Sequence, residues 1–296
     1  MIEIQGLTKR FGDLVAVDHL TLSFRPGVTG LVGENGAGKS TLFRCLANVY
    51  DLDEGQILID DLPCDMAKAK EKLFFLSDNP YYPRGANAKG VAAFYCGICD
   101  LDVKRFYEIL EDFELPLDRG VGRFSKGMRR QLFIALALST RCQYLLLDEA
   151  FDGLDPLVVE KIKTVIYEEG QKGRTIVVSS HNIPVLEHLA DRFVLLHKGK
   201  LGKEGENGDM GTSFVKFQGS FPHELTQPML EGLGLQVVSF KHVGSVYHFV
   251  LIDGEGLGEK IVKAYDPTFL EAIPIDPDEL LILEMMLAKK GGRPNA

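Results

Sequence analysis

The chain has no apolar run approaching the ~18 residues of a membrane-crossing helix. It is not expected to cross a membrane by itself, although it can dock onto something that does. A basic excess is also missing: 42 acidic against 33 basic residues leave a formal charge of -9. Affinity for a nucleic-acid backbone comes largely from cationic side chains that release counterions, so no nucleic-acid partner is expected. Cysteine is sparse and odd in number: Cys45, Cys64, Cys96, Cys99 and Cys142. No spaced framework relates them, which points to reduced thiols in a cytosolic protein. Cys96 and Cys99 form a lone C-x-x-C. Without a second pair or a spaced His pair it reads as two small apolar residues on a helix rather than a zinc site. The opening stretch MIEIQGLTKRFGD has neither the basic start nor the apolar core of a secretory signal. Internal repeats are absent.

What is present is an ordinary globular composition, 45% hydrophobic and 25% charged over 296 residues. That is enough for one large domain, or one large and one small. The first two thirds alternate short β-rich runs (MIEIQGLT, VTGLVG, GQILIDD, KLFFLS, QYLLLDEA, RTIVVSS, RFVLLHKGK) with helical patterns (KSTLFRCLANV, KGMRRQLFIALALST, PLVVEKIKTVIYEEGQ). Runs such as YLLLD and TIVVSS suit strands buried on both faces. The prediction is an α/β domain over residues 1–205 with a largely parallel core sheet. The stretch GKLGKEGENGDMGTS, from Gly199, reads as a hinge. Residues 206–296 have a different texture, with strands and helices in the order βαββαβ. This predicts a small α+β domain of ferredoxin-like order, closed by a helix over PDELLILEMMLAKK and a disordered tail GGRPNA.

The chemistry concentrates in three places. The first is Gly33-Glu34-Asn35-Gly36-Ala37-Gly38-Lys39-Ser40, followed by Thr41, which fits G-x-x-x-x-G-K-[ST] between a strand and a helix. Glycines let such a loop curl its N–H groups onto phosphate oxygens, and the helix start adds positive potential. Lys39 then brings a charge to the β- and γ-phosphates, and the Ser40 hydroxyl faces magnesium. The second is the apolar run Tyr144 to Leu147, which ends in Asp148 and Glu149. Strand ends of parallel sheets are where α/β proteins bind ligands. Asp148 suits a magnesium shell, and Glu149 suits the polarisation of an attacking water. The third is TIVVSSH, a buried strand that ends in His181, a candidate γ-phosphate contact.

The basic stretch RFSKGMRRQLF, Arg123 to Phe133, opens another helical pattern. Ser125 is a suitable N-cap there, and an uncovered helix start attracts anions. Arg129 and Arg130 are assigned to a solvated or interfacial face. Lys126 is open between a phosphate contact and water.

Taken in order, these strings resemble the ATP-binding subunits of ABC transporters, over about residues 1–205. GENGAGKS corresponds to Walker A, FSKGMRRQ to the signature, LLLDE to Walker B, GLDP to the D-loop and SSH to the switch histidine. The resemblance implies a P-loop NTPase fold with a helical subdomain at about 78–142, and an ATPase using ATP and Mg2+. It implies nucleotide binding by Phe11, stacked on adenine, and by Gly33, Asn35, Gly36, Ala37, Gly38, Lys39, Ser40 and Thr41. It further implies a head-to-tail dimer, of two identical or two similar chains, around two ATP molecules. Ser125 and Gly127 would then meet the partner's γ-phosphate. The protein would sit at the cytoplasmic face of the membrane, held there by separate permease subunits.

Two departures stand out. Lys126 and Met128 replace residues of the common signature, and such S-K-G-M forms resemble those of ABC-2-type exporters. Asp78, a candidate magnesium ligand through water, stands where the family usually has Gln; an alignment shifted by one would put Ser77 or Asn79 there. Tyr81 and Tyr82 are candidates for a membrane-subunit contact or for ordinary loop packing. A non-transport role in regulation, repair or translation is the alternative. The coiled coils or second nucleotide domain of such proteins are not seen here.

Overall fold

The computed structural model describes residues 1–180, 185–186, 189–206, 214–252, 254, 256–273, 275, 279 and 283. They divide into two compact units, Met1–Gly205 and Glu206–Ala296.

The first unit holds two sheets. An antiparallel sheet of order β2-β1-β4-β5 comprises β1 (Ile2–Phe11), β2 (Leu14–Phe24), β4 (Glu54–Ile59) and β5 (Leu62–Pro63). Neither β2 nor the antiparallel pairing of β4 was anticipated. The LVAVDHLTLSF run of β2 mixes polar residues into an irregular alternation, and its register against β1 is shifted at several points.

The second sheet has the order β10-β9-β3-β8-β7-β6. It contains β3 (Gly27–Val32), β6 (Leu73–Leu76), β7 (Tyr144–Leu147), β8 (Thr175–Ser180), β9 (Arg192–His197) and β10 (Lys200–Glu206). The pairs β6–β7, β7–β8, β8–β3 and β3–β9 are parallel, so these strands finish along one edge. Val32 is level with Ser180, and Leu76 with Leu147. The first half of the stretch expected to be a hinge is therefore β10. A turn at Lys198 and Gly199, both at positive φ, leads into it. Its charge-rich composition suits an edge strand, where charged side chains discourage pairing with another chain.

The helices of the unit include α1 (Lys39–Leu46), α2 (Ala67–Lys70), α3 (Ala88–Cys96), α4 (Val103–Asp112), α5 (Lys126–Ser139) and α6 (Pro156–Gln171). Leu42, Phe43 and Leu46 of α1 join one buried cluster with Ile4, Leu20 and Ile57 of the antiparallel sheet and Leu31, Leu146 and Val177 of the parallel one. Leu145 and Leu147 point to the opposite face by strand alternation, toward α5. Asn87 and Asp102 cap α3 and α4 through hydrogen bonds from the N–H groups of Gly90 and Arg105, each at 3.0 Å. Cys96 is the last residue of α3 and is exposed, whereas Cys99 lies beyond the helix.

In the second unit the elements run β11 (Phe214–Ser220), α7 (Gln227–Gly232), β12 (Val237–Val243), β13 (Val246–Ile252), α8 (Leu257–Tyr265) and β14 (Phe269–Ile273). The sheet order β12-β13-β11-β14 is antiparallel throughout and places β11 between β13 and β14. Phe217, Tyr247, Phe249 and Leu251 meet Leu230, Leu257 and Ile261 of the two helices in its core. The closing helix and tail read from the sequence lie outside the described residues, apart from Glu279 and Leu283. Among the described residues no helix is long and apolar enough to cross a membrane.

Candidate nucleotide site

The buried strand β3 delivers the chain into the loop Gly33–Gly38, which turns directly into α1. Two of its glycines are dictated by space. A Cβ on Gly33 would lie 2.5 Å from the Leu196 carbonyl oxygen, and one on Gly38, at φ 105°, 2.5 Å from that of Ala16. No side chain caps α1, so its first N–H groups are open to an anion. Lys39 is 5% exposed. Its ammonium donates to the carbonyl oxygens of Gly33 at 2.6 Å and Glu34 at 3.3 Å, and stands 3.6 Å from Glu149 Oε1.

Asp148 follows β7 and is buried. Its Oδ1 accepts from Ser179 Oγ at 2.7 Å, and the Glu149 N–H donates to the same hydroxyl at 2.8 Å. The other oxygen, Oδ2, is buried with no hydrogen-bond partner. A buried carboxylate oxygen left so is costly unless a cation or donor meets it. Among the described residues no three His, Cys, Asp or Glu side chains gather as a protein-only metal cage. A single orphaned carboxylate oxygen beside a hydroxyl instead fits Mg2+, which takes one or two protein ligands and completes its shell with phosphate and water.

One cavity of about 730 Å³ brings most of the expected residues together: Phe11, the stretch Asn35 to Thr41, Asp78, Asp148 and Glu149. Gly33 contributes its carbonyl to Lys39. Phe11 reaches the rim from the antiparallel sheet, 44% exposed, its ring edge-on to Tyr50 at 5.3 Å between centroids. Arg44, Asp152 and Lys198 also line this cavity, and the sequence reading passed over them. Arg44 and Lys198 add positive charge suited to an anionic ligand. Nothing local marks either residue; they are brought in by the helix α1 and by the turn after β9. His181 lies outside the described residues.

Ser125 and Gly127 do not line this cavity. Ser125 caps α5, accepting from the Met128 N–H at 3.1 Å, a bond of about 1 kcal/mol. A Cβ on Gly127 would come within 2.9 Å of the Gly153 carbonyl oxygen, so only glycine lets the helix start approach that loop. Lys126 is exposed to water, and its ammonium pairs with Asp152 at 2.6 Å. Tyr81 is exposed, while Tyr82 turns inward against Phe133, with 6.1 Å between ring centroids.

The assignment of Arg130 to a solvated or interfacial face is overturned. Arg130 is 6% exposed, in a run to Ser139 in which every residue of α5 is buried. Its Nε donates to the Ala150 carbonyl at 3.2 Å, Nη1 to that of Ser77 at 2.9 Å, and Nη2 to that of Asp148. Burial pushes the guanidinium below its ordinary pKa, opposed by the charges of Asp78 and Asp148. The signal in the sequence was the unbroken LFIALAL that follows, too apolar all round for a surface helix.

A family model described as "ABC transporter" matches residues 17–152. The ABC transporter ATP-binding protein YtrB of Bacillus subtilis (strain 168) is 24% identical over 298 residues, covering 99% of each chain. The Nod factor export ATP-binding protein I of Sinorhizobium fredii is 30% identical over 243 residues, 76% of this chain and 70% of that one. Among solved structures, the ATP-binding cassette MJ0796, a dimer bound to ADP and Pi, matches with a TM-score of 0.63 at 22% identity, over 70% of this chain and 99% of that one. With a phosphate loop, a carboxylate strand end and a signature helix in one parallel-sheet unit, this chain belongs to the family of ABC transporter ATP-binding proteins, which are P-loop ATPases.

Proposed function

We propose that this protein is the ATP-hydrolysing subunit of an exporter, acting as a dimer on separate membrane permease subunits. The observation that carries the reading is the single cavity shared by the uncapped start of α1, Lys39 and the Asp148–Glu149 end of β7. Export is favoured by the S-K-G-M signature and by the Nod factor export relative. A dimer is favoured by the position of Ser125 and Gly127 outside the cavity of their own chain, where they are free to serve the nucleotide of a second copy.

In this reading the N–H groups of the loop and α1 bind the phosphates, with Lys39 leaving the Gly33 carbonyl for the β- and γ-oxygens. Phe11 stacks on the adenine. Ser40 and Asp148, with Asp78 through water, would hold a magnesium ion that supplies positive charge to the phosphate oxygens. Glu149 accepts the proton of the attacking water. His181 is assigned to the γ-phosphate on the sequence alone. The helix start at Ser125 presents partial positive charge to the partner's γ-phosphate.

Replacing Glu149 by Gln keeps shape and removes the base. E149Q is expected to bind ATP with parental affinity, to hydrolyse it roughly 100-fold more slowly or less, and to accumulate as a dimer in ATP. Steady-state phosphate release and light scattering read both. Turnover at the parental rate would refute the role of Glu149.

A further inference from the structure

Glu149 has a backbone conformation that an L-residue adopts at a cost. Its φ is 47°, in the left-handed region, where a side chain crowds the following carbonyl. Such residues persist only when their surroundings over-determine them. Here the surroundings are specific. On the N-terminal side the Asp148 carbonyl accepts from Arg130 Nη2; on the C-terminal side the Ala150 carbonyl accepts from Nε of the same guanidinium at 3.2 Å. One planar cation therefore holds the carbonyls of both residues that flank Glu149. Its third donor, Nη1, reaches the Ser77 carbonyl at 2.9 Å, in the loop that carries Asp78. The Glu149 N–H is fixed separately by Ser179 Oγ at 2.8 Å.

We propose that Arg130 is a positioning residue for hydrolysis: by bracketing Glu149 through the carbonyls of Asp148 and Ala150, it holds that carboxylate at the γ-phosphate end of the cavity. The proposal rests on the reading of Glu149 as the base. It goes beyond that reading in assigning the placement of the base to a residue of α5 that lines not the nucleotide cavity but an adjoining one, which shares Asp78, Glu149 and Asp152 with it. A rigid fork suits the task. Three donors in one plane fix three acceptors relative to one another, which the single ammonium of a lysine does not do. A base displaced by about 1 Å costs roughly 100-fold in rate.

The chain contains its own control. Arg174 makes a similar, half-buried clamp, donating to the carbonyls of Leu138 at 3.1 Å, Thr140 at 3.0 Å and Cys142 at 2.6 Å, and it does not line the nucleotide cavity. Substituting either arginine strips cover from buried carbonyls, so both changes lower stability; only one should reach the chemistry. The experiment compares full-length parent, R130Q, R130K, R174Q and E149Q in steady-state ATP hydrolysis and in titration with a fluorescent ATP analogue, below the lowest unfolding midpoint of the set. R130Q should lose kcat by roughly 100-fold with KM changed by less than about threefold, and R130K should recover only part of it. R174Q should keep the parental kcat. The proposal is overturned if R130Q retains the parental kcat, if R130K restores it in full, or if R174Q falls as far as R130Q. It is overturned equally if R130Q is folded but no longer binds the analogue, which would make Arg130 an element of the binding site. If R130Q does not fold, R130K decides alone, and parental turnover by it rejects the proposal. Parental turnover by E149Q would instead remove the base itself, whatever Arg130 does.

Discussion

The ammonium of Lys39 stands 3.6 Å from Oε1 of Glu149. One residue opens a helix and the other follows a strand, and they meet because β3 and β7, on either side of β8, end along the same edge of the parallel sheet. Both side chains are largely withdrawn from water, 5% and 20% exposed, so their mutual attraction is screened less than that of a surface pair. In the proposed reading the pair sets the polarity of the site: a cation over the loop for phosphate, an acceptor beside it for the water.

Removing the cation tests the first half. In K39A the phosphates lose a charge-assisted contact, and affinity for ATP should fall by roughly 10- to 100-fold. Calorimetric titration reads the change directly. An unchanged Kd would mean that the loop and its lysine do not hold the phosphates.

Ser125 tests the second chain. A bulky cation at the start of α5 should block closure of two copies on nucleotide while leaving each chain's own cavity intact. S125R in the E149Q background is expected to stay monomeric in ATP by light scattering, with the affinity of the monomer for ATP unchanged. Weaker binding by the isolated monomer would put Ser125 in its own chain's site and contradict the arrangement.

Glu169 tests the electrostatics away from the site. Burial by itself raises the pKa of this carboxyl, but hydrogen bonds from Lys172 at 2.7 Å and Arg174 at 3.1 Å outweigh it and hold the group below its ordinary value of 4.5. A depressed acid adds stability that is fully present above the unfolded pKa and is lost as pH falls through the folded one. E169Q should therefore cost on the order of 2 kcal/mol at pH 7. The gap to the parent should narrow from about pH 5 downward. Urea unfolding midpoints at constant slope measure it. A gap independent of pH would show that the charge on Glu169 contributes nothing.

Much of the site could be read from the sequence because its signals are local. A glycine-rich loop between strand and helix, two carboxylates closing an apolar run, and a serine opening a helix each depend on neighbours within a few residues. Ser125 caps α5 through the N–H of Met128, three positions on, and that relationship is written in the chain itself. The parallel strands were legible for the same reason: TIVVSS is apolar enough to need cover on both faces, and all its residues are buried.

Other features needed the tertiary structure. The sequence marks β4 as a strand but not as a partner of β1 in a separate antiparallel sheet, because one apolar face says that cover is needed and not which strand supplies it. Lys200–Glu206 looked like a hinge because glycine and charge mark loops, while charge also serves to blunt an edge strand. Arg130 was misjudged for the deepest reason. A guanidinium is buried only where acceptors surround it, and its acceptors come from Ser77, Asp148 and Ala150, distant in sequence and brought to α5 by the folded sheet. The sequence alone named most of the residues that line the nucleotide cavity. Only the packing of α5 against the ends of β6 and β7 decided what holds Glu149 in place, because carbonyl groups are common to every residue and their positions belong to the fold.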